Sequence, residues 1–419
     1  MKLESHTLDN GLRVALQPDD SLPLVAVNLW YHVGSKDEKP GRTGLAHLFE
    51  HMLFQGSQHV GTNDHFRHIQ EVGGVANGST WYDRTNYFET LPANQLDLGL
   101  WLESDRMGYL LPALTQRKLD TQREVVLNER LQTVENRPYG LALERLHEEL
   151  YPNRHTYHWP VIGYPDDLAS ASLGDLEDFF NSYYSPNNAV LTLAGDFVPQ
   201  RALDRIKRYF GDLPPGKPSR PMSPPAISLG TKVRRHLEDD VELERVYIGY
   251  SIPPVTSESR YTADLLASIL CNGKSSLMYR DLVYSRQLAQ DVTVMMLPME
   301  IAATLLVVAT AKPGIDLDDL IEALDEHLDN LASRAPTESR VERARDKILT
   351  AHHDELQEVG NRADLISQGL TYFDDPAKLL NDPAKYSEVS PRDIQDFASQ
   401  HLGQNHRVTI TVGPRNSAV

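Results

Sequence analysis

The run Leu213–Pro225, LPPGKPSRPMSPP, constrains this chain more than any other feature. Its prolines fix φ and remove backbone donors, so it cannot continue a helix or sit in a central strand. It reads as an extended linker. It divides 419 residues into two parts of roughly 200, the size at which chains split into separate cores. Domains are expected at 1–212 and 227–419, with 213–226 between them.

Each part carries the same succession of patterns. In the first, Asn10-Gly11 supplies a hairpin turn between His6–Leu8 and Leu12–Leu16. Leu24–Val33 reads as a buried strand and Thr43–Phe54 as a buried helix. A second helix near Thr62–Val72 leads through Gly73-Gly74 to paired strands at Val75–Thr80 and Asn86–Leu91. Helices are expected at Gln95–Leu110, Gln116–Glu149 and Leu173–Tyr184, then a strand at Ala189–Ala194 and a helix at Pro199–Phe210. The second part gives strands near Thr231–His236, Arg245–Tyr250, Asp291–Leu297, Ala303–Ala309 and Val408–Val412. Its helices are expected at Arg260–Arg286 (broken near Asn272-Gly273), Leu317–Ser333, Ser339–Glu358 and Arg392–Leu402. The repeated order predicts an internal duplication. The fold class is α+β: two homologous domains, each a mostly antiparallel sheet covered by helices.

Charge and composition remove several functions. A formal net charge of −18 argues against a nucleic-acid partner, because phosphate binding needs a basic surface. It suits solubility, or an acidic surround that favours basic and neutral peptides. No apolar run approaches the roughly 20 residues of a membrane span. The start, Met1–His6, shows no signal peptide, so a cytoplasmic location is expected, or a periplasmic or secreted one if a leader has been removed. One cysteine, Cys271, excludes an internal disulfide and a Cys-rich zinc finger, and its apolar neighbours Leu265–Leu270 make it a packing thiol.

The chemistry concentrates on the Thr43–Phe54 helix. His47, Glu50 and His51 stand at i, i+3 and i+4 and share one face. Two imidazoles one turn apart can reach a single Zn²⁺, and the Glu between them can work on a metal-activated water without being a ligand. With 16 His in 419 residues and about half of the 59 acids being Glu, chance supplies roughly 0.04 such patterns. The neighbours Leu45, Ala46, Leu48, Phe49, Met52 and Leu53 would bury the helix, and three ionisable groups there need a partner. A catalytic site needs one further protein ligand, and composition does not choose it among the many acids. Other histidine groups are incomplete: His65 and His68 share a helix face with no acid to complete a site, His155 and His158 lie in a loop, and His352 and His353 lie on a charged helix.

The stretch Gly44–Gly56, GLAHLFEHMLFQG, resembles the inverted zinc motif of the pitrilysin or insulinase-type peptidases. Arg123–Arg130, REVVLNER, resembles the family segment that carries the third ligand, which implies Glu129. Val75–Thr80 with Thr85-Asn86-Tyr87 resembles the family's edge strand, which pairs with the substrate backbone and implicates Asn77, Gly78 and Thr80. Pro160–Gly163 and Tyr184–Asn188 match further landmarks. The resemblance runs through both halves and is strongest to short bacterial and mitochondrial-processing-type subunits, which work in pairs around a closed chamber. It implies Zn²⁺, a peptide substrate, ligands His47, His51 and Glu129, and Glu50 as general base.

Two departures stand out. Gln122 replaces a second Glu seven residues before the third ligand. Val283 and Gln290 stand where the family places an Arg and a Tyr that hold the substrate carbonyl, and Tyr284 and Arg286 compensate only if the register slips. The pattern implies divided labour, in which this chain holds the zinc and a homologous sister subunit supplies the Arg and Tyr. The alternatives are a non-catalytic assembly subunit of the same fold, like the core proteins of respiratory complexes, and a self-sufficient homodimeric peptidase.

Overall fold

The structure, a computed structural model, describes residues 2–217, 227 and 232–415. Beyond Lys217 the expected linker at 213–226 therefore lies outside the described residues, as does Thr231, where a strand was expected to begin. The chain forms two compact units, each assembled from separate segments. Of the described residues the first takes 2–129, 159–217 and 353–381 and the second takes the rest.

The first unit is built on six strands: β1 (Glu4–Thr7), β2 (Arg13–Pro18), β3 (Leu24–Tyr31), β4 (Val75–Thr80), β5 (Thr85–Pro92) and β6 (Ala189–Gly195), in the order β1-β2-β6-β3-β5-β4. Only β2 and β6 pair in parallel. The central strands β3 (LVAVNLWY) and β6 (AVLTLAG) are buried on both faces, as their near-continuous apolar sequences require. One face is covered by α1 (Leu45–Met52), α2 (Asp64–Glu71) and α3 (Leu96–Tyr109), and α4 (Gln116–Arg130) follows α3 in the chain. Leu29, Leu48, Phe49, Leu100 and Leu191 share the core between sheet and helices.

The other face is covered from far along the chain, by the helix Val359–Phe373. Ile366 and Leu370 pack on Ala15, Trp30 and Val190, and Ala363 packs on Ala26 and Ala194. Arg362 pairs with Asp19 at 2.7 Å, and Ser367 donates to Thr192 at 2.8 Å. Sequence patterning gave no helix there; Gly360 and Gly369, poor helix formers, interrupt its apolar residues.

A second difference concerns the helix expected over Gln116–Glu149. Regular helix ends at Arg130, a wider turn runs over Leu131–Glu135, and the chain restarts as helix at Ala142–Leu150. Pro138 lacks a donor, Tyr139 adopts φ 63°, and Gly140 lies so close to Val134 that a Cβ would stand 1.9 Å from its carbonyl oxygen.

The second unit carries β7 (Val233–Asp239), β8 (Arg245–Ile252), β9 (Ala289–Leu297), β10 (Ala303–Ala311) and β11 (Arg407–Pro414), ordered β7-β11-β8-β10-β9. Taken in chain order, this is the arrangement of β2 to β6 over again, with the first and last strands again the parallel pair. The duplication is thus visible in topology, and both sheets are mostly antiparallel and covered by helices. Cys271 is half-buried in this unit and its Sγ donates to the Val292 carbonyl at 2.9 Å. Among the described residues no helix is long and apolar enough to cross a membrane.

Candidate metal centre

Helix α1 starts where a buried carboxylate caps it. Glu38 accepts from the amides of Gly44 at 2.9 Å and Ala46 at 2.8 Å, satisfying donors that a helix start leaves open. Burial pushes the Glu38 carboxyl well above its ordinary range, against the pull of those two amides. Gly44 has φ 82°, and a Cβ there would meet the Ile162 carbonyl oxygen at 2.7 Å and the Gly163 Cα at 2.9 Å. The Pro160–Gly163 segment is therefore the backbone against which α1 begins. Leu45, Ala46, Leu48, Phe49 and Met52 are buried, with the Phe49 ring 4.5 Å from that of Tyr184. The opposite face of α1 is left to His47, Glu50 and His51.

Helix α4 brings the fourth group. Gln122 and Val126 are buried one turn apart and hold the face that continues to Glu129. Glu129 reaches both imidazoles: its Oε1 lies 3.7 Å from His47 Nε2 and its Oε2 3.3 Å from His51 Nε2. One ligand atom from each of the three residues lies within 4.8 Å of the others. Gln122 hydrogen-bonds His51 from the same helix. The Nδ1 of His47 is buried with no hydrogen-bond partner among the described residues.

Glu50 stands beside this group. Its Oε2 accepts from Thr80 Oγ1 at 2.6 Å, and a Cβ on Gly78 would approach its Oε1 at 3.3 Å. Thr80 and Gly78 belong to the edge strand β4. Asn77, on the same strand, accepts the Gly78 N–H through its side-chain oxygen at 2.9 Å. The seven residues singled out in the sequence thus lie along α1, α4 and β4 of one unit.

The electrostatics are those of a site with one charge to fill. Burial, and then His51, pull the His47 imidazole down to about 4, so it is neutral at ordinary pH. Burial also pulls on His51, but the hydrogen bond and charge of Glu129 outweigh it and leave His51 above its usual value. Glu129 is held below its ordinary range, first by its bond to His51. Burial raises Glu50, against the Thr80 bond. Two imidazoles and a carboxylate, converging from two helices with a second carboxylate alongside, are the donor set of a catalytic zinc site. The neutral His47 is ready to donate its lone pair, and a dication would offset the negative charge of Glu129. The residues fit Zn²⁺.

Comparison with known proteins gives the family. The family model "Insulinase (Peptidase family M16)" matches residues 13–158, and the model "Peptidase M16 inactive domain" matches residues 170–348. The chain belongs to the insulinase-type, or M16, peptidase family. Among M16 relatives, the zinc protease PqqE of Helicobacter pylori is 27% identical, over 99% of this chain and 93% of its own length. A probable mitochondrial-processing peptidase subunit beta of Arabidopsis thaliana is 25% identical, over 97% and 78%. A crystal structure of a protease from Helicobacter pylori superposes with a TM-score of 0.92 at 27% identity, covering 99% of this chain and 100% of that one. An M16 inactive domain from Pseudomonas fluorescens shares the fold, with a TM-score of 0.89 at 16% identity and coverage of 99% and 98%.

The duplicated M16 topology also exposes what the second unit lacks. The helix Arg260–Cys271 follows β8 as α1 follows β3, and each is followed by a glycine of positive φ, Gly56 at 90° and Gly273 at 78°. The helix Arg260–Cys271 carries no His-x-x-Glu-His pattern, and its one carboxylate is Asp264. Asp264 is hydrogen-bonded to Tyr386 at 2.8 Å. Further along, Val283 packs against the core of this unit, Tyr284 is exposed, and Arg286 is engaged with Glu326 at 2.6 Å. Gln290 is exposed on the edge strand β9.

One histidine reading needs correction. His65 meets two acids, Glu89 of β5 and Glu103 of α3, from distant parts of the sequence, with ligand atoms within 4.8 Å. All three are buried, and the Arg106 guanidinium already supplies a cation: its Nε donates to Glu103 at 2.8 Å. This is an internal ionic cluster, with Arg106 over the Tyr87 ring.

Proposed function

We propose that this chain is the zinc-bearing subunit of an endopeptidase that hydrolyses peptides or unfolded segments, and that a homologous sister subunit completes its site. The observation that supports this most is the meeting of His47, His51 and Glu129 with Glu50 beside them. His47, His51 and Glu129 would hold the metal, leaving one coordination position open. Zn²⁺ bound there supplies a water of lowered pKa and a polarised scissile carbonyl.

The chain's own residues do the rest. Thr80 fixes the Oε2 of Glu50, so Oε1 accepts the proton from the attacking water and returns it to the leaving amine. Gly78, having no side chain, leaves Glu50 the space to do so. Strand β4 lies at the sheet edge and receives an extended peptide as an added strand. The peptide takes over the Gly78 N–H that Asn77 holds.

The need for a sister subunit rests on Val283 and Gln290, which offer no cationic or phenolic donor to a developing oxyanion. Losing one such donor costs about 10² to 10³ in rate. Relatives whose names designate a subunit beta are in keeping with this. A non-catalytic assembly role is the second reading, favoured by family members described as inactive, and the intact His47, Glu50, His51 and Glu129 set speaks against it.

The test is hydrolysis of a quenched-fluorescence peptide library by the zinc-loaded chain, alone and with candidate sister subunits, with Glu50→Gln as control. Cleavage that needs both a sister subunit and Glu50 supports the proposal. Cleavage by the chain alone removes the sister subunit from it. Cleavage unaffected by Glu50→Gln, or stoichiometric zinc with no cleavage in any pairing, overturns it.

A further inference from the structure

The second unit carries a cleft of about 1030 Å³ walled by Arg280, Arg334, Arg340 and Arg343. This is unexpected in a chain with 59 acidic and 41 basic residues. Other exposed arginines of this chain pair with an acid, as Arg234 does with Asp318, Arg286 with Glu326 and Arg392 with Asp396. Among the described residues these four arginines have no carboxylate partner. The one acid in the cleft wall, Asp281, is already bonded to His327 at 2.9 Å. Four like charges around one hollow, with a single carboxylate in its wall, leave a surplus of positive charge that an entering anion would offset.

The surroundings favour the same sign. Arg340 and Arg343 lie at i and i+3 in the first turns of the helix Glu338–Glu355, so the positive end of the helix dipole borders the cleft. Ser275, Thr337 and Ser339 add hydroxyl donors. A smaller recess adjoins it, sharing Ser276, Arg340 and Arg343 and reaching Lys347.

We propose that this cleft is a docking site for an acidic polypeptide segment, one presenting several closely spaced carboxylates. Guanidinium groups pair with carboxylates two bonds at a time, which gives register as well as attraction. The volume exceeds that of a single small anion and suits a few consecutive acidic side chains. No Phe, Tyr or Trp lines the hollow, so it offers no stacking surface of the kind that single-stranded nucleic acids use. The site is independent of the metal centre and of whether the chain is a peptidase.

The test uses the full chain and fluorescein-labelled hexaglutamate, with hexaglutamine and tripolyphosphate as comparison ligands, read by anisotropy and by competition. The proposal expects hexaglutamate to bind at least tenfold more tightly than hexaglutamine, and to weaken as salt rises. Arg340→Ala with Arg343→Ala should lower that affinity tenfold or more. Both side chains are exposed, and unchanged circular dichroism and zinc stoichiometry would show that the fold is kept. Equal binding of the two peptides, or unaltered hexaglutamate binding by the double variant, overturns the proposal. So does tight tripolyphosphate binding with no measurable hexaglutamate binding, which would assign the cleft to small phosphates.

Discussion

Thr80 donates its hydroxyl to Glu50 across 2.6 Å, tying the edge strand to helix α1 and to the proposed general base. Burial raises the Glu50 pKa and this bond restrains the rise. Thr80→Val keeps the shape and removes the donor, so the Glu50 pKa should climb further. The acidic limb of the kcat/KM profile is then expected to move to higher pH, with a several-fold loss near pH 7, and Thr80→Ser should restore it. A pH–rate profile of the active enzyme checks this; an unmoved acidic limb would remove Thr80 from the mechanism.

Gly78 is expected to tolerate no side chain without loss of turnover. A Cβ would stand 3.1 Å from the Phe54 ring, 3.2 Å from Glu50 Cγ and 3.3 Å from its Oε1. Gly78→Ala should displace Glu50 by a few tenths of an ångström and lower kcat about tenfold or more, since small misplacements of reacting groups are costly. Zinc stoichiometry should be unchanged, which separates this effect from unfolding.

Metal affinity should fall in a defined order. In the proposed zinc site Gln122, hydrogen-bonded to His51, would be an outer partner, so Gln122→Ala should weaken zinc binding by about 10- to 100-fold. Glu129→Gln removes a ligand charge and should cost more. Competition against a chelator gives both values, and the reverse order would move Glu129 out of the coordination sphere.

Glu89 should be a neutral carboxylic acid in the folded protein. It is fully buried beside Glu103, and burial followed by the Glu103 charge raises it well above its ordinary 4.5. A folded-state pKa above the unfolded one favours the folded state while the group stays protonated. That contribution is complete below about pH 4.5 and is lost as pH rises through the folded value, at up to about 1.4 kcal/mol per pH unit. Glu89→Gln should remove this slope and be more stable than the parent at pH 8. Denaturant titrations at pH 5 and pH 8 test it; a variant less stable at both would show that the ionised carboxylate is needed.

Much of this was legible in the sequence. The α1 pattern could be read because its three polar residues interrupt a run of apolar ones, and the hairpin expected at 75–80 and 86–91 could be placed because Gly73-Gly74 marks where it begins. Glu129 was not legible from local chemistry. It is one acid among several on a polar helix, and only the resemblance to a known family segment singled it out. The cluster of His65, Glu89 and Glu103 was hidden because its members come from α2, β5 and α3 and meet only through packing. The break after Arg130 was written in Pro138 and Gly140, but the helical periodicity on either side masked it.

The helix Val359–Phe373 has a consequence for the order in which the protein is made. Its Asp364 takes the Trp30 indole N–H at 2.9 Å across 334 residues, and Leu370 accepts from Arg13 across 357. At about 5–20 residues per second, the strands carrying Ala15, Ala26 and Trp30 leave the ribosome roughly 20–70 seconds before the helix that shields them. Through that interval the six-stranded sheet has one bare apolar face, a surface for chaperones or for unwanted association. A ribosome that stalls before Val359 would release every proposed metal ligand on a sheet that cannot close.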